Sequence, residues 1–322
     1  MTQTKEANVE KERLAVKSEA LKIKRKARLS QTGFVASFLA LPILNFLIFY
    51  VYVNFDSLLM AFKRPVLGQG YNAAVWSFEN FNIIWKSLSI SGGGVIWRAF
   101  VNTMLFSLTG MAVGFPIGVL MCYFIYKKIR MYHMFRFVAY LPNIITSSAL
   151  VILFKNAVGP GGPLDALAMK LGISYSDPLT SESSAIWAIL FYYISFGFGS
   201  NLIVVGGAMT GINSEMLESA AIDGCNWFKE LIYMIVPSIW PTISTILVLN
   251  VAGCLGSTGP ILAFSKGDYN TMTLSFYIYQ LVSGAGTGEQ DLYLASALGI
   301  VMTAISFPIA MLVRKITYGK ED

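Results

Sequence analysis

Histidine and cysteine are nearly missing from this chain, and their scarcity removes whole classes of chemistry. The single histidine, His133, lies in a short basic loop. With no second histidine, neither an H-E-x-x-H zinc helix nor a serine–histidine pair can be built, so Ser200 after Gly199 has no base to activate it. The three cysteines, Cys122, Cys225 and Cys254, have the spacing of neither a metal site nor a disulfide framework and read as small core residues. No G-x-x-x-x-G-K-[ST] phosphate loop occurs, so the chain cannot hold ATP by that route. Charge is scarce too. Charged residues make up 13% of the 322, against about 25% in an ordinary soluble domain.

Apolar residues are present at 55%, and they are concentrated in six long stretches, near Gly33–Asn54, Phe100–Tyr126, Phe137–Phe154, Ala185–Ile212, Ile239–Phe264 and Tyr293–Val313. A helix needs about 20 apolar residues to cross a bilayer. The expected fold is therefore an all-α membrane protein with six transmembrane helices in a single domain over 33–315, with tails at 1–32 and 316–322. None of the six stretches contains Asp, Glu, Lys or Arg. Ion-driven carriers keep such groups in the membrane as proton relays or ion sites, so their absence argues against that class.

The loops set an orientation. The first 32 residues hold nine basic and four acidic residues, and the run Lys22–Arg28 is especially basic. Val16, Ala20, Ile23 and Ala27 recur at helical spacing, which suits an amphipathic helix on the membrane surface. No A-x-A-like site follows, so no removable signal peptide is read, and membrane anchoring is a simpler account of the tail than nucleic-acid binding. Lys127, Lys128, Arg130 and Arg136 mark the next loop as cytoplasmic, whereas Asp165, Asp177 and Glu182 mark 155–184 as external. Six spans then bring the carboxyl end, with Arg314, Lys315 and Lys320, back to the cytoplasm, so both termini are expected there.

The stretch Glu215–Pro241, EMLESAAIDGCNWFKELIYMIVPSIWP, breaks the charge rule. It lies between apolar spans yet carries Glu215, Glu218, Asp223, Lys229 and Glu230. Glu215–Asp223 has helix-forming composition, Gly224 can supply the positive φ of a helix end, and Trp227, Phe228, Leu231, Ile232 and Ile235 recur at helical spacing up to Pro237. The expected result is a helical hairpin over 213–238 on the cytoplasmic side. Composition alone favours a hairpin resting on the membrane surface.

Glu218, Ala220, Gly224 and Pro237 sit where the EAA signature of binding-protein-dependent ABC importer permeases has its glutamate, second alanine, glycine and closing proline. Ser219 replaces the first alanine, and Met234 and Val236 stand where isoleucine and leucine are usual. The flanks resemble the carbohydrate-uptake branch of that family, as do FVNTMLF at Phe100–Phe106, FRFVAYLPNIITS at Phe135–Ser147 and TMTLSFYIY at Thr271–Tyr279. The usual Gly-Gly-Pro before the last of these is replaced by Ser265-Lys266-Gly267-Asp268.

The resemblance implies a type I ABC importer permease in a bacterial or archaeal cell membrane, with a cytoplasmic coupling helix. It implies a separate ATPase dimer that binds ATP and magnesium, no cofactor in this chain, an external solute-binding protein and a sugar or oligosaccharide substrate. By carry-over, Glu218 meets a basic residue of the ATPase, and Ser219, Ala220, Ala221 and Asp223 lie in the contact. Gly224 and Pro237 set and close the hairpin. The long amino-terminal tail and the TYGKED ending resemble the first of two unlike permeases, so a different permease is expected as partner rather than a second copy. A passive channel or a secondary carrier for a small polar solute is the alternative in another class.

A polar solute needs polar and aromatic groups at mid-membrane depth. The candidates are Asn143 and Ser147 in the third span, Tyr192, Tyr193, Ser200 and Asn201 in the fourth, and Asn250 in the fifth. Tyr193 and Asn201 stand about two turns apart on one helix face. For any one of these polar residues, helix packing is favoured over substrate contact. Gly197, Gly199, Gly206, Gly207 and Gly211 in the fourth span, and Gly253, Gly256, Gly259 and Pro260 in the fifth, suit bending or close contact, and the ordinary glycine and proline content of membrane helices accounts for them equally well.

Overall fold

The computed structural model describes residues 33–66, 74–89, 94–284 and 290–319, with the backbone alone at Ser89, Phe198, Ser200 and Gln290. The tail 1–32 and residues 320–322 lie outside the described residues, and so do the expectations for them. The described chain divides into two units, with the division after Leu59.

The described residues of the first unit, 33–59, all belong to one helix, α1 (Gly33–Met60), long and apolar enough to span a membrane. Its residues 33–58 are all exposed. A helix apolar all round is suited to lipid or to a buried site rather than to water.

The second unit opens with a short ribbon of β1 (Lys63–Pro65) and β2 (Ala74–Trp76), antiparallel with Arg64 opposite Val75. This departs from an all-helical expectation. Side-chain ties close the ribbon. Asn80, in α2 (Glu79–Ser89), donates to the carbonyls of Ala61 and Lys63 at 3.0 and 2.9 Å, and Arg64 pairs with Glu79.

The second span is α3 (Val95–Tyr126), which starts five residues earlier than its apolar run suggested. Its ladder widens to i→i+5 bonding over Gly110–Gly114. The third span is bent. After α4 (Tyr132–Ile144) the axis turns by 107° into the helix beginning at Ser147. Pro142 lacks an amide hydrogen for the last turn of α4, and the backbone leaves the helix as an extended chain at Ile145. The expected straight span Phe137–Phe154 is thus two pieces, the second being α5 (Ser147–Val158). The loop that follows contains α6 (Pro163–Lys170). Tyr175 donates to the Val158 carbonyl there, and burial, with Asp177 and Asp165 nearby, pushes its phenol pKa up.

The fourth span, α7 (Ala185–Thr210), tightens to a 3₁₀ turn at Phe198–Asn201, immediately after Gly197. Two helices form the hairpin, α8 (Ser214–Ile222) and α9 (Trp227–Ser238). A 76° bend then leads into α10 (Trp240–Ala252). The expected fifth span to Phe264 ends early. Gly253, Gly256 and Gly259 (φ +56°), followed by Pro260, do not continue the helix, and only one further turn forms, α11 (Ile261–Phe264). After α12 (Leu274–Val282) the chain closes with α13 (Gln290–Tyr318). Among the described residues, four helices are long and apolar enough to cross a membrane, or up to six spans if each bent pair counts as one.

The packing joins these elements at both ends of α3. At its start, Asn102 is buried and donates to the carbonyls of Asn270 and Met272 at 2.8 and 2.9 Å. Thr103 accepts from the Leu274 amide at 2.9 Å. These bonds hold the loop in which Lys266, Gly267, Tyr269 and Asn270 all have positive φ. Only glycine fits at Gly267, where a Cβ would lie 2.9 Å from the Phe276 ring. At the other end of α3, one apolar core gathers Val119 and Tyr123 of α3, Val205 and Met209 of α7, and Ile239 and Ile243, which flank the start of α10. The start of α10 is also tied to the end of α13, where Trp240 Nε1 donates to the Thr317 carbonyl at 3.2 Å.

Candidate functional site

The hairpin is closed by its own sequence. Asn213 caps α8, its Oδ1 accepting from the Glu215 amide at 3.0 Å. At the far end Gly224 takes φ +72°, its amide bonds the Ala221 carbonyl at 3.2 Å, and the Cys225 amide reaches the Ala220 carbonyl at 3.0 Å. This is the Schellman ending that glycine permits.

The two faces of the hairpin differ. Leu217, Leu231 and Ile235 are buried in the core shared with α3, α7 and α10. Ala220 is buried as well. The other face presents Glu218, Ser219, Ala221, Asp223 and Gly224 in the open, together with Ile222, which is 87% exposed. The exposed face thus carries two carboxylates, Glu218 and Asp223, around one bare isoleucine. Pro237 lies within the last turn of α9, one residue before the helix ends and the chain bends into α10.

Sequence reasoning had given Glu230 no role. It is buried, and its carboxylate oxygens lie 2.7 and 3.0 Å from Nζ of Lys127, the residue that follows α3. The buried Tyr123 lies beside it. A charged residue on the apolar stripe of α9, one position before Leu231, was the signal available in the sequence. Nearby, the rings of Trp227 and Phe124 pack 6.0 Å apart.

A cavity of about 190 Å³ lies between α3, α7 and α10, and Tyr193, Asn201 and Asn250 all line it. The local breaks shape it. The widened turn Gly110–Gly114 faces Tyr193, and a Cβ on Gly110 would sit 3.0 Å from the Tyr193 hydroxyl. Phe106 meets the Tyr193 ring edge-on at 5.7 Å. Gly253, Cys254 and Ser257, where α10 has ended, complete the wall.

The remaining candidates are elsewhere. Tyr192 is buried, its ring among Phe154, Phe196 and Phe264, so it packs the core rather than facing the cavity. Adjacent residues on a helix point about 100° apart, which is why Tyr192 and Tyr193 separate. Asn143 is exposed at the end of α4 and lies against Gly199, and Ser147 is exposed at the bend between α4 and α5. Ser200 contributes backbone to the 3₁₀ turn, and its side chain lies outside the described residues. Among the described residues no cluster of His, Cys, Asp and Glu could hold a metal ion.

A family model described as binding-protein-dependent transport system inner membrane component matches residues 114–317, more than half of the chain. The chain belongs to this family. This transport component is 26% identical over 267 residues to the probable ABC transporter permease protein YesP of Bacillus subtilis (strain 168), covering 80% of this chain and 81% of the relative. It is 20% identical over 281 residues to the arabinooligosaccharides transport system permease protein AraP of the same organism, covering 85% of each. A solved bacterial ABC transporter involved in the import of the acidic polysaccharide alginate superimposes with a TM-score of 0.73 at 24% identity, over 89% of this chain and 96% of that one. The transport component therefore has the type I ABC permease fold, is a multi-pass membrane protein and is a transport subunit rather than an enzyme.

Proposed function

We propose that this chain is the permease subunit of an ATP-driven importer for a sugar or oligosaccharide in a bacterial or archaeal cell membrane, with both termini in the cytoplasm. A separate ATPase dimer, which binds ATP and magnesium, docks on the exposed face of the hairpin from Glu218 to Gly224. An external binding protein delivers the solute on the opposite side.

The observation that supports this most is the division of the hairpin. Its outer face is an acidic rim with an exposed isoleucine, and its inner face continues into the core of the helices that line the cavity. Such a part is built to receive a push on one side and deliver it on the other.

The saccharide class is supported by AraP, named for arabinooligosaccharides, and by the alginate transporter. Tyr193, Asn201, Asn250 and Ser257 offer the ring face, amides and hydroxyl that match a sugar's chemistry. The apolar stretches were free of Asp, Glu, Lys and Arg, which favours a neutral solute. The cavity, about 190 Å³, is below the ~300–1,000 Å³ of pockets that enclose a whole ligand. In this proposal a second, unlike permease supplies the facing wall.

The test is purification of the chain from native membranes in mild detergent, with every co-purifying protein identified. The reading expects an ATPase and a second permease, and expects Glu218→Ala to lose the ATPase selectively. Recovery of the chain without any ATPase, together with uptake that ignores ATP depletion, would replace the importer with a passive pore.

A further inference from the structure

The hairpin carries five charged side chains, Glu215, Glu218, Asp223, Lys229 and Glu230, and only Glu230 is buried. Its side chain is 7% exposed, against 35% for Lys127. A carboxylate so placed is unfavourable unless it stays paired, so the position of Glu230 is bound to that of Lys127. Lys127 in turn is fixed to the end of α3, because its amide bonds the Tyr123 carbonyl at 2.9 Å. The neighbouring Trp227–Phe124 contact is apolar and tolerates rocking. The ion pair does not, since separation leaves a buried charge alone.

From Lys127 the helix runs back to the cavity, where Gly118, Gly114 and Gly110 form part of the wall. The widened turn at Gly110–Gly114 is the point where α3 can flex. We propose that the Lys127–Glu230 pair is the positioning link through which displacement of the hairpin swings α3 and reshapes the cavity. The link rests on the reading of the hairpin as an ATPase dock.

The test needs no knowledge of the solute. Cys254 lines the cavity, and its reaction with N-ethylmaleimide reports the cavity's state. The complete complex is purified with its ATPase, and labelling at Cys254 is followed by peptide mass spectrometry with and without Mg-ATP and vanadate. In the wild type, nucleotide trapping is expected to change the labelling rate by at least about 5-fold, the lower end of ordinary coupling between sites. Glu230→Gln, which keeps the side chain's shape, and Lys127→Gln are expected to retain the ATPase and its ATP hydrolysis but to lose most of that change. The reversed pair, Lys127→Glu with Glu230→Lys, is expected to restore it.

A wild-type response in Glu230→Gln overturns the link, as does failure of the reversed pair to restore the response while the complex stays intact. If Glu230→Gln does not accumulate, Lys127→Gln decides in its place. A purely structural role would lower the thermal midpoint of the single variants and leave the nucleotide-dependent change in labelling untouched. If the wild-type complex contains no ATPase, the functional reading fails and takes the link with it. That outcome is distinct from an intact complex in which Glu230→Gln behaves as wild type.

Discussion

The amide of Asn143 lies so close to Gly199 that a Cβ there would fall 2.2 Å from its Nδ2. The bend at the end of α4 and the 3₁₀ turn of α7 therefore touch at these two residues, and a side chain at position 199 would displace the exposed Asn143 amide. Gly199→Ala is expected to destabilise the protein by about 0.5–1.5 kcal/mol, the cost of pushing the Asn143 side chain off its rotamer. Combining it with Asn143→Ala should recover at least ~0.5 kcal/mol of that loss, which thermal unfolding in detergent would measure. Simple additivity of the two substitutions would refute the contact.

Tyr192 and Tyr193 are neighbours in sequence with opposite surroundings. Tyr192→Phe removes only a hydroxyl from an aromatic cluster and is expected to leave uptake unchanged, with stability altered by no more than about 0.5 kcal/mol. Tyr193→Ala removes a wall of the cavity and is expected to lower uptake of a transported saccharide by about tenfold or more, for a loss of ~1.4 kcal/mol. Equal effects of the two changes on uptake would refute the assignment of the cavity.

At the hairpin, Glu218→Ala is expected to leave membrane insertion intact and to uncouple transport from ATP hydrolysis. Loss of one partner of a desolvated interfacial charge pair costs roughly 2–5 kcal/mol. Normal uptake by this variant would remove Glu218 from the coupling surface.

Gly224 holds φ +72° in open space, so a larger side chain meets no neighbour and the cost is one of backbone conformation. Gly224→Val is expected to cost about 1–2 kcal/mol, and Gly224→Asn less, because asparagine enters that region more readily. Retention of the ATPase on co-purification should follow the order Gly, Asn, Val.

Asn102 holds two loop carbonyls at once. Asn102→Leu leaves both without their donor and is expected to cost about 1–3 kcal/mol per unsatisfied group. Limited proteolysis should then cut the 266–272 loop earlier than in the wild type.

Much of this is legible in the sequence. Gly224 was read as the hairpin's helix end and has the required positive φ. In the glycine and proline run after Ala252, bending and the ordinary composition of a membrane helix are equal readings of the sequence, and the structure ends the fifth helix there. FVNTMLF was recognised only as a pattern, and the structure supplies its reason: Asn102 and Thr103 are buried and bond the loop before α12. The 107° break of the third span was missed, because an apolar run reports length but not direction. Tyr192 was grouped with Tyr193 because residue type does not say which way a side chain points.

The sequence by itself determined a charge-poor, six-stretch membrane chain with an acidic hairpin between spans, because burial in lipid and helix capping act on neighbouring residues. Only the tertiary structure decided that Tyr193, Asn201 and Asn250 share one cavity and that Glu230 reaches Lys127, 103 residues away in the chain. Those relationships depend on how separate helices pack, and packing is chosen by the whole set of surfaces at once rather than by any local stretch.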